Sequence, residues 1–198
     1  PFLRDKKCKK ILSIDKRNQV LDDERHEKWS YKKIPCKLMI ENYLKLYNSL
    51  YNFNYLIFRV SNVYGEFINY KRNQGVIHVW LNKIYNHEEI TIWGDGNSVR
   101  DYLHISDLVF VFNYALRYNF KERIYNLGYG KGHSLNDIID ILQNDLKLNF
   151  KLNFIHNRNV DVNDNVLNID KLSNEIGYKP KISLIDGINR VWNSITKR

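Results

Sequence analysis

The chain has few of the residues that mark disulfide-rich, fibrous or membrane-spanning proteins. Its 198 residues include two cysteines, Cys8 and Cys36, which are too few for a disulfide framework and stand in no metal-ligand spacing. Three prolines and nine glycines exclude a collagen-like or proline-rich chain. No apolar run approaches the roughly 18 residues of a membrane span. We therefore expect a globular protein of a reducing compartment, the cytoplasm.

Positive charge exceeds negative charge along the chain. Lysine and arginine total 31 against 22 acidic residues, which gives a net charge of +9. Such an excess suggests nucleic acid or an anionic ligand as a partner. The basic residues are spread out, however, and only Lys6 to Lys10 form a tight cluster. Solvated surface lysines are the favoured interpretation, and a basic nucleic-acid-binding module is an alternative.

Short β-rich runs alternate with amphipathic segments, which predicts an α/β fold with a largely parallel sheet. The continuous apolar run over 55–60 indicates a strand buried on both faces, and the aperiodic charged stretch over 15–28 indicates a loop. Asp107, Ser134, Asp170 and Ser183 stand where they would cap helices. The predicted strands are 10–14, 55–60, 90–93, 124–127 and 150–155. The predicted helices are 37–50, 75–85, 107–118, 135–146, 170–177 and 184–196.

The beginning of the chain is unusual, because it starts with Pro1 and enters its first strand within about ten residues. This start suggests a fragment or a truncated gene product. A truncated sheet would leave the strands at 10–14 and 55–60 with an exposed edge, which is a site for pairing with another chain.

The glycine cluster Gly128-Tyr-Gly130-Lys-Gly132 follows a predicted strand and precedes a predicted helix, where a phosphate-binding loop would lie. Its spacing is G-x-G-x-G, however, and no acidic residue follows about 20 residues later to hold a ribose. A turn that links strand to helix is therefore favoured over a dinucleotide site.

Several motifs follow one another in a fixed order through the rest of the chain. The most specific is the Arg-Asp-Tyr-x-His-x-x-Asp pattern that comes soon after Gly-Asp-Gly. The motifs are Arg59-Val-Ser-Asn62-Val-Tyr-Gly65, Gln74-Gly75-Val76, Ile90-Thr91-Ile-Trp93-Gly-Asp-Gly96, Arg100-Asp101-Tyr102-Leu-His104-Ile-Ser-Asp107, Arg158-Asn-Val-Asp161-Val162, Asn168-Ile-Asp170-Lys-Leu172 and Gly177-Tyr-Lys-Pro180.

In order and spacing this set resembles the second half of the extended short-chain dehydrogenase/reductase family. The resemblance covers residues 9 to 198 and is closest to NAD-dependent sugar-nucleotide epimerases and dehydratases of the UDP-glucose 4-epimerase type. It implies an incomplete Rossmann-type parallel sheet with an interleaved smaller α/β substrate-binding lobe. The expected division assigns 1–64 and 99–128 to the sheet domain and 65–98 and 129–198 to the nucleotide-sugar-binding lobe.

The residue types of these motifs suit a diphosphate-linked sugar. Arginine forks such as Arg100 and Arg158 pair with phosphate oxygens, the Trp93 ring can stack on a base, and Asp161 can accept from ribose hydroxyls. Each also has a structural alternative, since a strand tryptophan is often core and an arginine is often a surface residue. The resemblance implies these substrate-binding residues: Asn62, Gln74, Gly75, Val76, Thr91, Trp93, Arg100, Arg158 and Asp161.

The catalytic positions depart from the family pattern. The family uses a Ser or Thr, a Tyr, and a Lys four residues after that Tyr, with the Tyr as general base while hydride moves to NAD. Lys37 aligns with the family lysine, but Lys33 stands at the tyrosine position and Arg17 at the Ser/Thr position. Tyr31 is the nearest tyrosine, six residues before Lys37. No glycine-rich turn for NAD precedes residue 10.

Together these features predict a truncated or degenerate sugar-nucleotide epimerase/dehydratase homologue. It would retain binding of a UDP-sugar or other NDP-sugar, would be inactive alone, and would hold no NAD, the cofactor of its parent family. The parent activity would serve cell-surface polysaccharide synthesis. One alternative is a subunit that a separate NAD-binding polypeptide completes. A homodimer, or a partner chain that covers the sheet edge, is the expected assembly.

Overall fold

The structure, a computed structural model, describes residues 11–15, 34–66, 75–156 and 164–197, with the backbone alone at 11–15 and 34–37. The strands are β1 (Ile11–Asp15), β2 (Tyr55–Val60), β3 (Asn62–Tyr64), β4 (Ile90–Trp93), β5 (Val99–His104), β6 (Ile124–Leu127), β7 (Gly132–Ser134), β8 (Leu152–Ile155) and β9 (Asp164–Asn165). The helices are α1 (Ile34–Tyr51), α2 (Val76–Tyr85), α3 (Ile105–Arg117), α4 (Leu135–Asp140), α5 (Asp170–Ile176) and α6 (Leu184–Thr196), and a π-helical turn, Ile141–Asp145, continues α4.

The first layer is a parallel sheet of three strands in the order β1-β2-β6. Its central strand β2 is apolar throughout except for Arg59, which suits a strand that is covered on both faces. The predicted α/β class with a Rossmann-type parallel sheet is confirmed. The expectation that the 55–60 strand lies at an exposed edge is wrong, because β2 is hydrogen-bonded on both sides. Within the described strands of this sheet, β1 and β6 form the edges.

Helix α1 lies against the sheet through an ion pair. Arg59 Nε and NH2 donate to the two carboxylate oxygens of Glu41 at 3.2 and 3.3 Å, a two-pronged contact in which Glu41 is buried. Such paired geometry is the strong form of a carboxylate–arginine contact. Glu41 is thus turned inward, whereas the exposed side chains of α1 are mostly apolar.

Two hydrophobic clusters form the core. The first packs β2 and β6 against α3 and includes Phe58, Leu103 and Val111. The second packs α2, α4 and α6 around β4 and includes Trp80, Ile92 and Ile188. Strand β5 pairs with β3, β7 and β9, while β4 pairs with β8 in a separate parallel ribbon. The predicted domain boundaries stay a prediction.

Two of the four helix caps are confirmed. Ser134 and Ser183 accept the N–H groups of Asp137 and Asp186 at 3.0 and 3.1 Å, and Ser134 completes a capping box. The Asp170 prediction is wrong by one position, because Asp170 is the first residue of α5 and Ile169 precedes it.

The cap assigned to Asp107 is also wrong. Helix α3 begins earlier, and His104 caps it by accepting the Ser106 N–H at 3.2 Å. The Asp107 carboxylate instead accepts the backbone N–H groups of Lys181 and Ile182 at 3.1 and 3.2 Å. Asp107 therefore anchors the chain that leads into α6. None of the helices in the described ranges combines the length and hydropathy that crossing a membrane requires. After Asp15, the loop predicted over 15–28 lies outside the described residues.

Candidate functional site

The glycine cluster after β6 encloses a carboxylate of the same chain. The Tyr129 N–H donates to Asp101 Oδ1 at 2.8 Å, and the N–H groups of Gly130 and Leu167 donate to Oδ2 at 3.0 and 3.3 Å. A Cβ atom at Gly128 would collide with the same carboxylate. The backbone donors that could receive a phosphate are therefore already occupied, and the predicted turn between β6 and the following elements is confirmed.

Asp101 is fully buried, with 0% of its surface exposed. Burial raises the pKa of this carboxyl above its usual range, and the N–H donors of Tyr129, Gly130 and Leu167 oppose that rise. A buried carboxylate is tolerated when donors satisfy its oxygens. The contacts of Asp101 therefore join the turn after β6 and the segment after β9 to strand β5.

A cavity of about 460 Å³ lies beside β5. It opens among the C-terminal end of β4, strand β3, the first turn of α2 and the middle of β5, and its apolar lining belongs mostly to the second hydrophobic cluster. Six of the nine predicted substrate-binding residues line it: Asn62, Gly75, Val76, Thr91, Trp93 and Arg100. The structure thus brings together positions that are up to 38 residues apart in the sequence.

The aromatic and polar side chains of the cavity have distinct environments. Trp93 is 42% exposed, whereas its neighbour Ile92 is 1% exposed, so Trp93 is not a core residue. The Asn62 side-chain amide donates to the backbone carbonyl of Asp101 at 3.1 Å. Arg100 NH1 donates to the carbonyl of Val99 at 2.8 Å. An aromatic face, an amide and a guanidinium therefore border one space.

The remaining predicted site residues lie outside what the structure describes. Gln74, Arg158 and Asp161 fall in undescribed segments, as do Lys33 and Arg17, and Lys37 is described only as backbone near the start of α1. Their roles stay predictions.

Several cavity residues were not among the predicted substrate-binding residues, among them His78 and also Tyr64 and Tyr102, although these two tyrosines lie within the quoted motifs. The only sequence signal for His78 was its position one helical turn after Gly75. The ring nitrogen Nε2 of His78 lies 2.8 Å from the Gly65 carbonyl and donates to it, since a carbonyl only accepts. Burial lowers the pKa of His78, although the contact with Gly65 opposes that shift.

Two tyrosines at the cavity are unsuited to accept a proton at neutral pH. Burial raises the pKa of Tyr102 to about 12, with Arg100 acting in the opposite direction. Burial also raises the pKa of Tyr64 above its usual range, with a further contribution from Tyr129. Both phenols therefore remain protonated, and the Tyr64 hydroxyl donates to the backbone carbonyl of Ser183 at 3.4 Å.

The described residues do not supply a pyrophosphate site for NAD. The glycine-rich turn of such a site leaves backbone N–H groups free for phosphate oxygens, but the turn after β6 directs its N–H groups to Asp101. That turn has the spacing G-x-G-x-G, and no G-x-x-G-x-x-G pattern occurs in the sequence. We derive no catalytic step through NAD from these residues.

Comparison with known proteins gives the family. The sequence profile of the NAD dependent epimerase/dehydratase family matches residues 19–128. The chain belongs to this family. The resemblance read from the motifs is therefore confirmed, and the matched range includes β2, β3 and the β5 segment that borders the cavity.

Relatives within the family act on sugar nucleotides. A protein of Methanocaldococcus jannaschii assigned as a UDP-glucose 4-epimerase is 38% identical over 79% of this chain and 50% of its own length. The dTDP-4-dehydro-6-deoxyglucose reductase of Escherichia coli is 36% identical over 80% of this chain and 50% of its own length. The chain spans about half the length of these curated relatives.

A solved structure of the family has a similar fold. The UDP-glucose 4-epimerase of Thermotoga maritima, determined with UDP-glucose, superposes with a TM-score of 0.76 and 28% identity. The superposition covers 82% of this chain and 52% of that one. The described fold is thus part of the larger fold of these enzymes.

The buried histidine of the cavity predicts acid sensitivity. Because the folded pKa of His78 is lowered, the unfolded chain binds more protons once the pH falls below about 6.5, and stability is lost as the pH falls through the folded pKa. We expect His78→Gln, which can still donate to Gly65 without becoming charged, to show a smaller loss of unfolding free energy between pH 7 and pH 5.

Urea unfolding at each pH measures this effect. The exposed His156→Gln change is the matched control and should leave the pH dependence as in the parent chain. The dependence should be reduced and not abolished, because burial also lowers the pKa of His104 and His133. An identical pH dependence in His78→Gln and the parent would contradict the prediction.

Proposed function

We propose that this chain binds the nucleoside diphosphate portion of a sugar nucleotide, a UDP-sugar first of all, in the cavity beside β5. The observation that carries the proposal is the convergence of Asn62, Thr91, Trp93 and Arg100 on one cavity. A nucleoside diphosphate offers a planar base, hydroxyl groups and two phosphates. Trp93 supplies an exposed aromatic face for the base, and Arg100 supplies a cation for the phosphates.

Similar proteins support this ligand class. The Thermotoga maritima epimerase was solved with UDP-glucose, and the Escherichia coli relative is named for a dTDP-sugar. Both ligands share a pyrimidine base and a diphosphate, which are the groups that Trp93 and Arg100 would contact. We also propose the cytoplasm as the compartment, since two cysteines indicate a reducing environment.

Replacing the exposed tryptophan tests the binding site. We expect the parent chain to bind UDP and UDP-glucose in calorimetric titration. Trp93→Ala should weaken binding about tenfold or more, because stacking of a base on an aromatic ring contributes roughly 1–3 kcal/mol. Phe154→Ala is the control, since Phe154 is an exposed aromatic residue on the adjacent β8 that does not line the cavity.

The same titration can contradict the proposal. A folded parent chain that releases no heat with millimolar UDP or UDP-glucose would overturn the proposed function. Equal affinities of the parent and Trp93→Ala for UDP would overturn the role of the indole ring.

The chemical step, we propose, requires residues that this chain does not provide by itself. A lysine at the general-base position, where Lys33 is predicted to stand, cannot take the part of a phenol by the same mechanism, because a charged lysine only donates hydrogen bonds and has no lone pair to accept a proton. The turn after β6 directs its N–H groups to Asp101. A separate NAD-binding polypeptide that pairs with the β1 edge is the alternative route to an active enzyme.

An activity assay separates these possibilities. We expect the isolated chain with added NAD not to convert UDP-glucose to UDP-galactose. Chromatography of the sugar nucleotides measures the conversion. Activity that appears only with a co-purifying polypeptide would favour the two-chain enzyme. Turnover by the isolated chain would contradict the proposed inactivity.

A second copy of the chain is the partner that we propose for helix α1. Seven outward side chains of α1 are 40% to 69% exposed: Met39, Ile40, Tyr43, Leu46, Tyr47, Leu50 and Tyr51. Lys45 is the charged residue among the exposed side chains of α1 in the described residues, because the other charged residue there, Glu41, is turned inward toward Arg59. Large apolar side chains of 150–250 Å² each give this face roughly 600 Å², near the approximately 800 Å² per partner of a stable interface.

A charge on this face should prevent the association. We expect the parent chain to sediment as a dimer at micromolar concentration and Leu46→Glu to sediment as a monomer, since a buried unpaired carboxylate opposes apolar contact. Leu116→Glu, at an exposed leucine of α3, is the matched control and should remain dimeric. A monomeric parent chain would contradict the dimer.

A further inference from the structure

Asp101 is the residue through which the cavity is connected to the rest of the fold. Asp101 does not line the cavity, but two residues next to it do. Arg100 precedes it in β5, and Asn62 donates to its backbone carbonyl at 3.1 Å. Its carboxylate receives three backbone N–H groups from two other segments of the chain. One residue thus has contacts with β3, the turn after β6 and the segment after β9.

These contacts restrain the backbone at the cavity wall. Both carboxylate oxygens accept backbone N–H groups, so the Asp101 side chain is held in one orientation next to Arg100. The backbone carbonyl of Asp101 accepts a hydrogen bond from the Asn62 side-chain amide and so orients that amide. A displacement of about 1 Å at a binding group can reduce function by as much as a hundredfold.

We propose that Asp101 is the positioning residue of this cavity, which holds Asn62 and the backbone of Arg100 in the arrangement that receives a diphosphate without touching the ligand. The inference rests on the proposed function. Asp101 would affect the affinity for the ligand only by positioning Asn62 and Arg100. The glycine turn after β6, which resembles a phosphate loop in sequence, then serves the ligand indirectly, because it binds the carboxylate that orders the site.

The substitution Asp101→Asn tests the role with little change in shape. An amide group presents one oxygen and one NH2, and both carboxylate oxygens now face N–H donors, so an NH2 group would oppose a donor in either orientation. We expect the affinity for UDP in calorimetric titration to fall at least tenfold, measured below the melting temperature of every variant.

Asp107→Asn is the matched control. Asp107 is also buried and also accepts two backbone N–H groups, but it does not line the cavity or contact a residue that does so through those bonds. We expect Asp107→Asn to lower the melting temperature while its affinity for UDP stays within about twofold of the parent. Equal losses of UDP affinity in the two variants would show a general loss of stability and would overturn the inference.

Gly128→Ala approaches the same carboxylate from the turn. Its methyl group would collide with Asp101 Oδ2 and displace it, although the substitution removes no polar group. This variant serves as the test if Asp101→Asn does not fold. We expect weaker UDP binding in this variant too. Combining Asn62→Ala with Asp101→Asn should lose less affinity than the product of the two single losses, because the two residues act as one unit.

The outcomes distinguish this inference from the proposed function. If the parent binds UDP and both Asp101→Asn and Gly128→Ala bind it equally well, Asp101 has no positioning role although the site is real. Multiplicative losses in the double variant would also count against the inference. A folded parent chain that binds no UDP overturns the proposed function, and the positioning role with it.

Discussion

The structure depends on a carboxylate that is buried without being left unsatisfied. Placing a charged group in the interior costs several kcal/mol unless donors surround it, and Asp101 receives its donors from segments that are distant in the sequence. Those segments must return to β5 for the contacts to form. The requirement of one side chain therefore fixes the path of the chain around the turn after β6 and the end of β9.

The main elements could be predicted from the sequence where the pattern is local. The apolar run of β2 and the serine caps at Ser134 and Ser183 depend on neighbours within a few residues, and all three predictions are confirmed. Strands β3, β5, β7 and β9 were missed. Strand β5 has no continuous apolar run, and the other three have only two or three residues each and pair with the distant β5. Asp107 looked like a cap, but its oxygens bind backbone some 74 residues away, which no local pattern reveals.

The candidate site could be predicted where the family motifs carry it. The positions of Asn62, Trp93 and Arg100 were given by their motifs, and the fold brings them to one cavity. His78 stands in no family motif, and it borders the cavity because α2 packs there within the second hydrophobic cluster, which no local pattern reveals. The profile match shows membership of the epimerase/dehydratase family, whereas the assignment of Lys33 and Arg17 to the catalytic positions stays a prediction.

Strand β5 contributes consecutive residues to different cores. Tyr102 packs with α2 and α6, while Leu103 packs with β2 and α3. Neither cluster can lose its packing at this strand without disturbing the adjacent residue that belongs to the other. The described part of the chain is thus expected to unfold in one cooperative transition, in the way of small single domains. The cavity, whose apolar lining belongs mostly to the second cluster, would be lost with it.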